Sequence, residues 1–544
     1  MKLYYLENRE TWQVRNRAGK DYTPAYLREM LFSIGAKGAP WTPGDLIGKD
    51  DILLVGAERV PDLPDCRKIL FGTNDPGGQE AVRNSGITDA YVTADGRHLP
   101  LFAPLLEAFT GWQVLRWTAG RKPALTRHGD VFRFCFDLPA SLWYSGDGIY
   151  TGHSLSGFSI GRVPDSRPLP DTTAGTLPYN DCLLEEVESI LLGWGVPLLY
   201  RLPPLEGGEI PDFALHFSGD DDCTSAEYNL NAAKIMHQAG FPYHINAMPL
   251  GGKHFIFDGS FLKKLNSLGV EVALHTDFIN DSGVIGGVPY TIESQKAQAD
   301  LFEKTFRYRP LTNSNHYFAQ DGPACERLRW LSACGIIGDN SKFGEINVSD
   351  IGTGEMNAFN LSGFSFGTTF PRYTIDDAEH GNRDIDTMEI PINYYEPRLG
   401  GPYTDSGRIT GYLDQAAGAG RIAQFFIHPH YFQPDNPDSV FVANVLALVS
   451  DHIARKGYRV LRTTTDRIAS FWRGRRSSEI AESRDGTISV QADVPLIVSI
   501  PEGACTEQVL VNGKRSETVL RKTGAGKIRL VVLPCPGAFR IQML

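Results

Sequence analysis

Residues 213–222, Phe213-Ala214-Leu215-His216-Phe217-Ser218-Gly219-Asp220-Asp221-Asp222, run from a mostly apolar stretch into three consecutive carboxylates. Phe213 to Phe217 has the composition of a buried strand, and the acids fall where that strand ends. Outward from it, the segment up to about Arg475 alternates. Ser225 to Ala239 reads as a helix, Tyr243 to Ala247 as a strand, Gly259 to Ser267 as a helix and Val270 to His275 as a strand. A long helix is expected at Ile292 to Phe306, then a helical run at Pro323 to Cys334. The strand Ala423 to Ile427, the helix Ser439 to Lys456 and the strand Tyr458 to Arg462 follow. Strand–helix alternation over this length predicts a parallel sheet, open or closed into a barrel. In either form, chemistry belongs on the loops at the carboxyl ends of the strands.

The flanks differ in texture. Upstream, Asp51 to Gly56 and Lys68 to Gly72 read as strands, Leu101 to Phe109 as a short amphipathic helix, and Val131 to Asp137 as an alternating strand. The run Arg201-Leu202-Pro203-Pro204-Leu205-Glu206-Gly207-Gly208 has the composition of a linker. Downstream, Thr487–Gln491, Pro495–Ile500, Gln508–Val511 and Ile528–Leu533 read as short strands, with hairpin chemistry at Val511-Asn512-Gly513-Lys514. The expected organisation is an N-terminal α/β domain (1–207), a (β/α) domain (208–480) and a small antiparallel, sandwich-like β domain (481–544).

Bulk composition narrows the classes. The 544 residues hold 53 Lys+Arg against 64 Asp+Glu, a net charge of −11, with 42% hydrophobic and 11% aromatic residues. Such a chain can build cores, which excludes wholesale disorder. Its acidic balance disfavours a nucleic-acid partner. Charged Glu7, Arg9 and Glu10 interrupt the apolar start, so no secretory leader is read there. No stretch approaches the ~18 apolar residues of a membrane span. Eight cysteines show no CxxC pair, so reduced thiols and a cytoplasmic location are expected.

Three features carry chemistry. Asp220-Asp221-Asp222 places like charges together, which resist joint ionisation unless a cation sits among them. A solvated acidic turn or helix N-terminus is the competing reading. Glu271-Val272-Ala273-Leu274-His275-Thr276-Asp277 ends a strand on a histidine, a good zinc ligand when neutral. Ala423-Gln424-Phe425-Phe426-Ile427-His428-Pro429-His430 drives an apolar strand into a His-Pro-His tip.

In order and placement these motifs resemble the polysaccharide deacetylase family, carbohydrate esterase family 4 and its wider relatives. The resemblance covers residues 212 to about 475 and implies an irregular (β/α) barrel. The family's first motif, Thr-Phe-Asp-Asp-Gly, supplies a catalytic base and then a metal ligand. This implies Asp220 as base and Asp221 as ligand, with Asp221 and Asp222 as the alternative pair. The second motif, His-Ser/Thr-x-x-His with a Glu four residues upstream, fits Glu271 and His275, but Ile279 stands where the second histidine belongs. His316 is the resemblance's candidate for the third ligand, with His430, His254 and Asp277 as fallbacks. Asp277 can alternatively orient a ligand histidine. The last motif, Leu-x-His, fits Phe426-Ile427-His428 and implies His428 as general acid, and Thr464 to Trp472 looks like the closing helix of divergent members. Arg372, in Gly367 to Tyr373, is the nearest match to the family's arginine; Asp222, Asp277, Arg372 and His430 are the candidate substrate contacts.

The implied activity is metal-dependent deacetylation of an N-acetylhexosamine-containing substrate, with zinc as the expected divalent ion. Two rivals remain: a catalytically inactive carbohydrate-binding protein on the same fold, and a glycoside hydrolase using two of the acids.

Overall fold

The computed structural model describes residues 1–6, 26–56, 62–72, 89–101, 105–147, 177–222, 225–278, 288–316, 324–342, 367–376, 380–381, 383–483, 486–501, 508–523 and 526–543. Among the described residues it is a mixed α/β structure with two largely parallel sheets and three antiparallel ones, one of them a two-stranded pair.

The central sheet holds ten strands. From one edge they run Arg372–Ile375, Asp384–Pro391, Gly338–Lys342, Thr312–Asn315, Val270–Thr276, Tyr243–Ala247, Phe213–Asp220, Ile422–Phe426 and Tyr394–Tyr395, while Val460–Thr463 also pairs with Phe213–Asp220. Every pairing is parallel except at the Arg372–Ile375 edge. Phe213–Asp220 therefore uses both of its edges. Residues 214–218 pair with Ile422–Phe426 on one side; on the other, 218–220 pair with the Tyr243 strand and 213–216 with Val460–Thr463.

Side chains alternate across a strand, and here the alternation sorts apolar from polar. Phe213, Leu215 and Phe217, Tyr243 and Ile245, and Val270, Val272 and Leu274 pack with helix residues such as Met236, Leu265, Phe302, Leu413 and Val445. These come from the helices Ala226–Gln238, Gly259–Asn266, Ile292–Phe306, Ser406–Ala419 and Ser439–Lys456. The intervening positions, His216, Ser218, Asp220, His244, Asn246 and His275, are polar and also buried. The sheet curls to enclose them. Ser218 Oγ and Gln424 Nε2 reach Asn340 Oδ1 at 3.5 and 3.4 Å, although the Phe213 and Gly338 strands stand four places apart. Among the described residues no strand pairing joins the two edges, so the sheet is curled but open, where a barrel was one expected form.

Upstream, a seven-stranded sheet runs Ala39–Trp41, Leu3–Leu6, Ile52–Val55, Arg67–Phe71, Val131–Phe134, Pro123–His128, Gln113–Trp117, its last two pairings antiparallel. Among the described residues the helix expected at Leu101 to Phe109 is not seen: His98–Leu101 is a strand paired with Asp89–Val92, and 105–109 is irregular. Pro100 and Pro104 disfavour a helix there.

Downstream, two antiparallel sheets of four and five strands form, and Leu198–Leu199, from before the linker-like run, adds to the first by pairing with Leu496–Pro501. Asn512 and Gly513 both take positive φ (51° and 76°), the two-residue turn that the right-handed twist of a hairpin favours. One apolar cluster joins Leu31 and Phe32, Leu191, Trp472 and Val498. Buried Arg475 crosses the same boundary, donating to the carbonyls of Phe32 (2.9 Å) and Tyr200 (3.0 Å). Among the described residues no helix is long and apolar enough to cross a membrane, and Cys66, Cys135, Cys182, Cys325, Cys334 and Cys535 form no disulfide.

Candidate active site

The polar groups gather at the carboxyl ends of four strands. Asp220 closes its strand and Asp222 follows with φ +41°, a left-handed turn that brings its carboxylate back toward the strand ends. His275 precedes the end of Val270–Thr276, His316 follows Thr312–Asn315, and His428 lies two residues after Ile422–Phe426.

Asp222 is the hub. Its Oδ1 lies 3.2 Å from His275 Nε2 and 3.8 Å from His316 Nε2, and its Oδ2 lies 3.1 Å from His428 Nε2. One donor atom each from Asp222, His275 and His316 lies within 4.8 Å of the others, as do atoms of Asp220, Asp222 and His428. Behind them, His275 Nδ1 faces the Ser314 carbonyl at 3.0 Å. A carbonyl only accepts, so Nδ1 carries hydrogen, which leaves Nε2 as the ring atom turned to Asp222. His316 Nδ1 is 3.6 Å from Asp277 Oδ1, and Asp277 Oδ2 accepts from Gly251 N–H at 2.9 Å.

Neighbouring acids differ in environment. Asp220 accepts from Asn246 Nδ2 (2.7 Å) and Ser314 Oγ (3.3 Å) and stands 3.4 Å from His275 Nδ1. Asp221 points elsewhere: it accepts Met248 N–H at 2.9 Å and belongs to neither donor group. Burial pushes its carboxyl up to about 7. Burial also raises Asp220, against the pull of His275 and His428. Asp222 resists its own burial and is held well below the usual range by His428 and His275. Burial would lower His275, yet Asp220 and Asp222 carry it up to about 9. The acids thus hold a positive charge among them, as a proton on imidazole. A divalent cation suits the same place, and one carboxylate with two imidazoles is a donor set that zinc accepts.

The remaining predicted residues lie apart or at the rim. Half-buried His430 packs at a tilt of 41° against Tyr431 with ring centres 4.0 Å apart and stands 5.4 Å from the His428 ring. Arg372 sits on the sheet edge, where its guanidinium donates to Glu389 Oε2 at 2.7 Å, and it lines a cavity with Glu29, Asp181 and Arg201. It belongs to neither donor group. His254 forms a backbone bridge with Leu250. Ile279 lies outside the described residues.

Glu396 was not foreseen from the sequence. Its Oε1 is 2.5 Å from His428 Nδ1. The signal was the pairing of Tyr395 with Phe426, which sets the next residue, Glu396, beside the His428 loop. Only a two-residue strand, Tyr394–Tyr395, carries that register. Burial works against charge on His428, but Asp222 and Glu396 outweigh it and hold the imidazole well above its ordinary range.

No known family profile matches this sequence, and no curated protein matches it. Several solved structures align with part of it. A Parabacteroides distasonis structure designated glycoside hydrolase/deacetylase is 8% identical over 54% of this chain and 82% of its own, with a TM-score of 0.32. The chitin deacetylase of Colletotrichum lindemuthianum is 13% identical, over 48% and 88%, with a TM-score of 0.26. The peptidoglycan deacetylase PdaC of Bacillus subtilis is 11% identical, over 47% and 90%, with a TM-score of 0.24. At these values the likeness leaves the chemistry to be argued from the side chains.

Proposed function

We propose that the protein is a divalent-metal-dependent hydrolase that removes acetyl groups from an N-acetylated amino sugar or polysaccharide, on a (β/α) framework of the polysaccharide-deacetylase type within residues 208–480. The observation that carries this reading is the division of Asp222, with one oxygen facing His275 and His316 and the other facing His428. In this reading Asp222, His275 and His316 hold the ion, so the ligand role expected of Asp221 passes to its neighbour. A zinc ion there would supply an electrophile that polarises the acetyl carbonyl and acidifies water.

The chain's own groups do the rest. Asp220, fixed by Asn246 and Ser314, takes the proton of the attacking water as oxygen bonds to the acetyl carbon. His428, kept protonated by its acidic neighbours, gives its Nε2 proton to the amine nitrogen as the C–N bond breaks, yielding acetate and a free amine. Glu396 holds the His428 ring from the Nδ1 side, Asp277 holds His316, and the Ser314 carbonyl fixes the His275 tautomer. In this reading half-buried His430, 5.4 Å from the ring of the acid, meets the sugar.

The test is acetate release from N-acetylglucosamine oligomers by zinc-loaded protein. Release that stops on chelation and returns with zinc supports the reading. Loaded protein that releases no acetate from any acetylated amino sugar, or release indifferent to chelation, contradicts it.

A further inference from the structure

At the amino ends of the same strands lies a second group of donor atoms. His244 is the second residue of its strand, and its register partner is Glu271 on the next. Below them, Val460–Thr463 takes the lower half of the Phe213–Asp220 edge, and the chain turns at once into the helix Thr465–Ser477. That turn brings Asp466 under the sheet. One atom each from His244, Glu271 and Asp466 lies within 4.8 Å of the others.

The contacts there leave both charge and nitrogen over. Thr312 Oγ1 donates to Asp466 Oδ1 at 2.6 Å and stands 3.4 Å from His244 Nε2, a long contact. Glu271 Oε1 accepts from Arg467 at 2.7 Å, and Oε2 accepts from the Thr464 hydroxyl. Arg467 balances one of the two carboxylates. No Lys or Arg among the described residues pairs with Asp466. His244 is fully buried, and its Nδ1 has no hydrogen-bond partner among the described residues. The same holds for Nδ1 of His216, whose ring centre is 6.4 Å from that of His244 and whose Nε2 meets Thr465 Oγ1 at 2.8 Å. A half-buried carboxylate without a cation beside it and a buried imidazole nitrogen without a hydrogen bond are each costly. A divalent ion among the three would balance the carboxylate and take one nitrogen of His244.

We propose that His244, Glu271 and Asp466 form a second divalent-metal site, of one imidazole and two carboxylates, at the opposite end of the strands from Asp222. The Thr312 hydroxyl stands beside the donors. The chemistry of the set suits a transition ion such as zinc or manganese. Its role is structural. The ion ties the start of the Thr465–Ser477 helix to the sheet, and the other end of that helix carries Arg475, which binds the carbonyls of Phe32 and Tyr200. The site thus links the central sheet to the contact between the flanking regions, and it does not rest on the hydrolase reading.

The test counts metal in the full chain, loaded with zinc and desalted, by elemental analysis. Wild type should carry two zinc ions, Asp466→Asn and Glu271→Gln one each, and Asp222→Asn one. The Asp222→Asn variant, which isolates the second site, should gain thermal stability on adding zinc, and Asp222→Asn/Glu271→Gln should lose that gain. Either lower variant suffices if the other fails to fold by circular dichroism. Equal zinc in wild type and in a folded Asp466→Asn or Glu271→Gln variant overturns the proposal. A count that falls with Glu271→Gln and not with Asp222→Asn keeps this site and removes the metal from the proposed catalytic centre.

Discussion

His428 Nδ1 and Glu396 Oε1 lie 2.5 Å apart, and Glu396 makes that contact from a left-handed backbone conformation (φ +41°). Strain of this kind on a non-glycine residue persists only where the surroundings fix it. Here the Glu396 N–H is bound to the Phe426 carbonyl at 2.7 Å, beside the histidine's own loop. Glu396→Gln keeps the shape and removes the charge that helps hold the proton on His428. Its kcat for acetate release should fall more than its KM changes, and by less than the roughly 100- to 10,000-fold expected of His428→Ala as loss of a general acid. Steady-state kinetics check this; equal kcat in all three proteins removes His428 and Glu396 from the reaction.

Asp277 reaches His316 from behind while accepting the Gly251 N–H. Loss of such support behind a ligand costs roughly 10- to 100-fold in metal affinity. Asp277→Asn should therefore bind zinc more weakly by that factor in a competition titration against a chromogenic chelator, with the fold retained. Unchanged affinity would make Asp277 a loop-holding residue only.

Gly219 stands between Ser218 and Asp220 where two strands meet the Tyr243 ring. A methyl group there would fall inside van der Waals contact of the Ile427 carbonyl oxygen and the Tyr243 hydroxyl, which themselves hydrogen-bond. Gly219→Ala should cost about 1–3 kcal/mol of stability as overpacking, and it should depress activity further by displacing Asp220 and the loop that bears His428. Denaturant unfolding and acetate release measure the two effects.

Glu29 gives a pH signature far from the proposed site. Burial, opposed by Arg476 and by the Tyr373 N–H at 2.9 Å, pushes its carboxyl from an ordinary 4.5 up to about 8. The folded protein keeps a proton there that the unfolded chain releases. The associated stability is full below about pH 4.5 and is lost as pH rises towards about 8. Glu29→Gln keeps an oxygen for Tyr373 and cannot ionise. Between about pH 5 and pH 8 its Tm should fall less than that of wild type in thermal melts; parallel curves would show that Glu29 titrates normally.

What could be read in the sequence depended on how local its cause was. The helix Ile292–Phe306 and the strands around His275 and His428 follow from short-range pattern, and they appear within a residue or two of expectation. The choice among the three aspartates was not legible. It turns on where the strand stops and on the positive φ of Asp222, which depend on the packed neighbours rather than on composition. The sequence reading did not place Arg372–Ile375 and Asp384–Pro391 as strands, since Asp384, Asp386 and Glu389 break the apolar pattern. Glu389 is buried because Arg372 and Arg327 meet it, a pairing across distant segments. Glu396 was hidden for the same reason, lying 32 residues before its histidine.

The central claim is that Asp222, with His275 and His316, forms the centre at which acetyl groups are hydrolysed. It is tested most directly by the acetate-release rate of wild type, Asp222→Asn and Asp221→Asn on one N-acetylglucosamine oligomer with zinc present. Asp222→Asn should fall to the background rate, while Asp221→Asn, whose carboxyl faces the Met248 amide instead of the donor group, should keep measurable activity. Wild-type activity in Asp222→Asn would contradict the account.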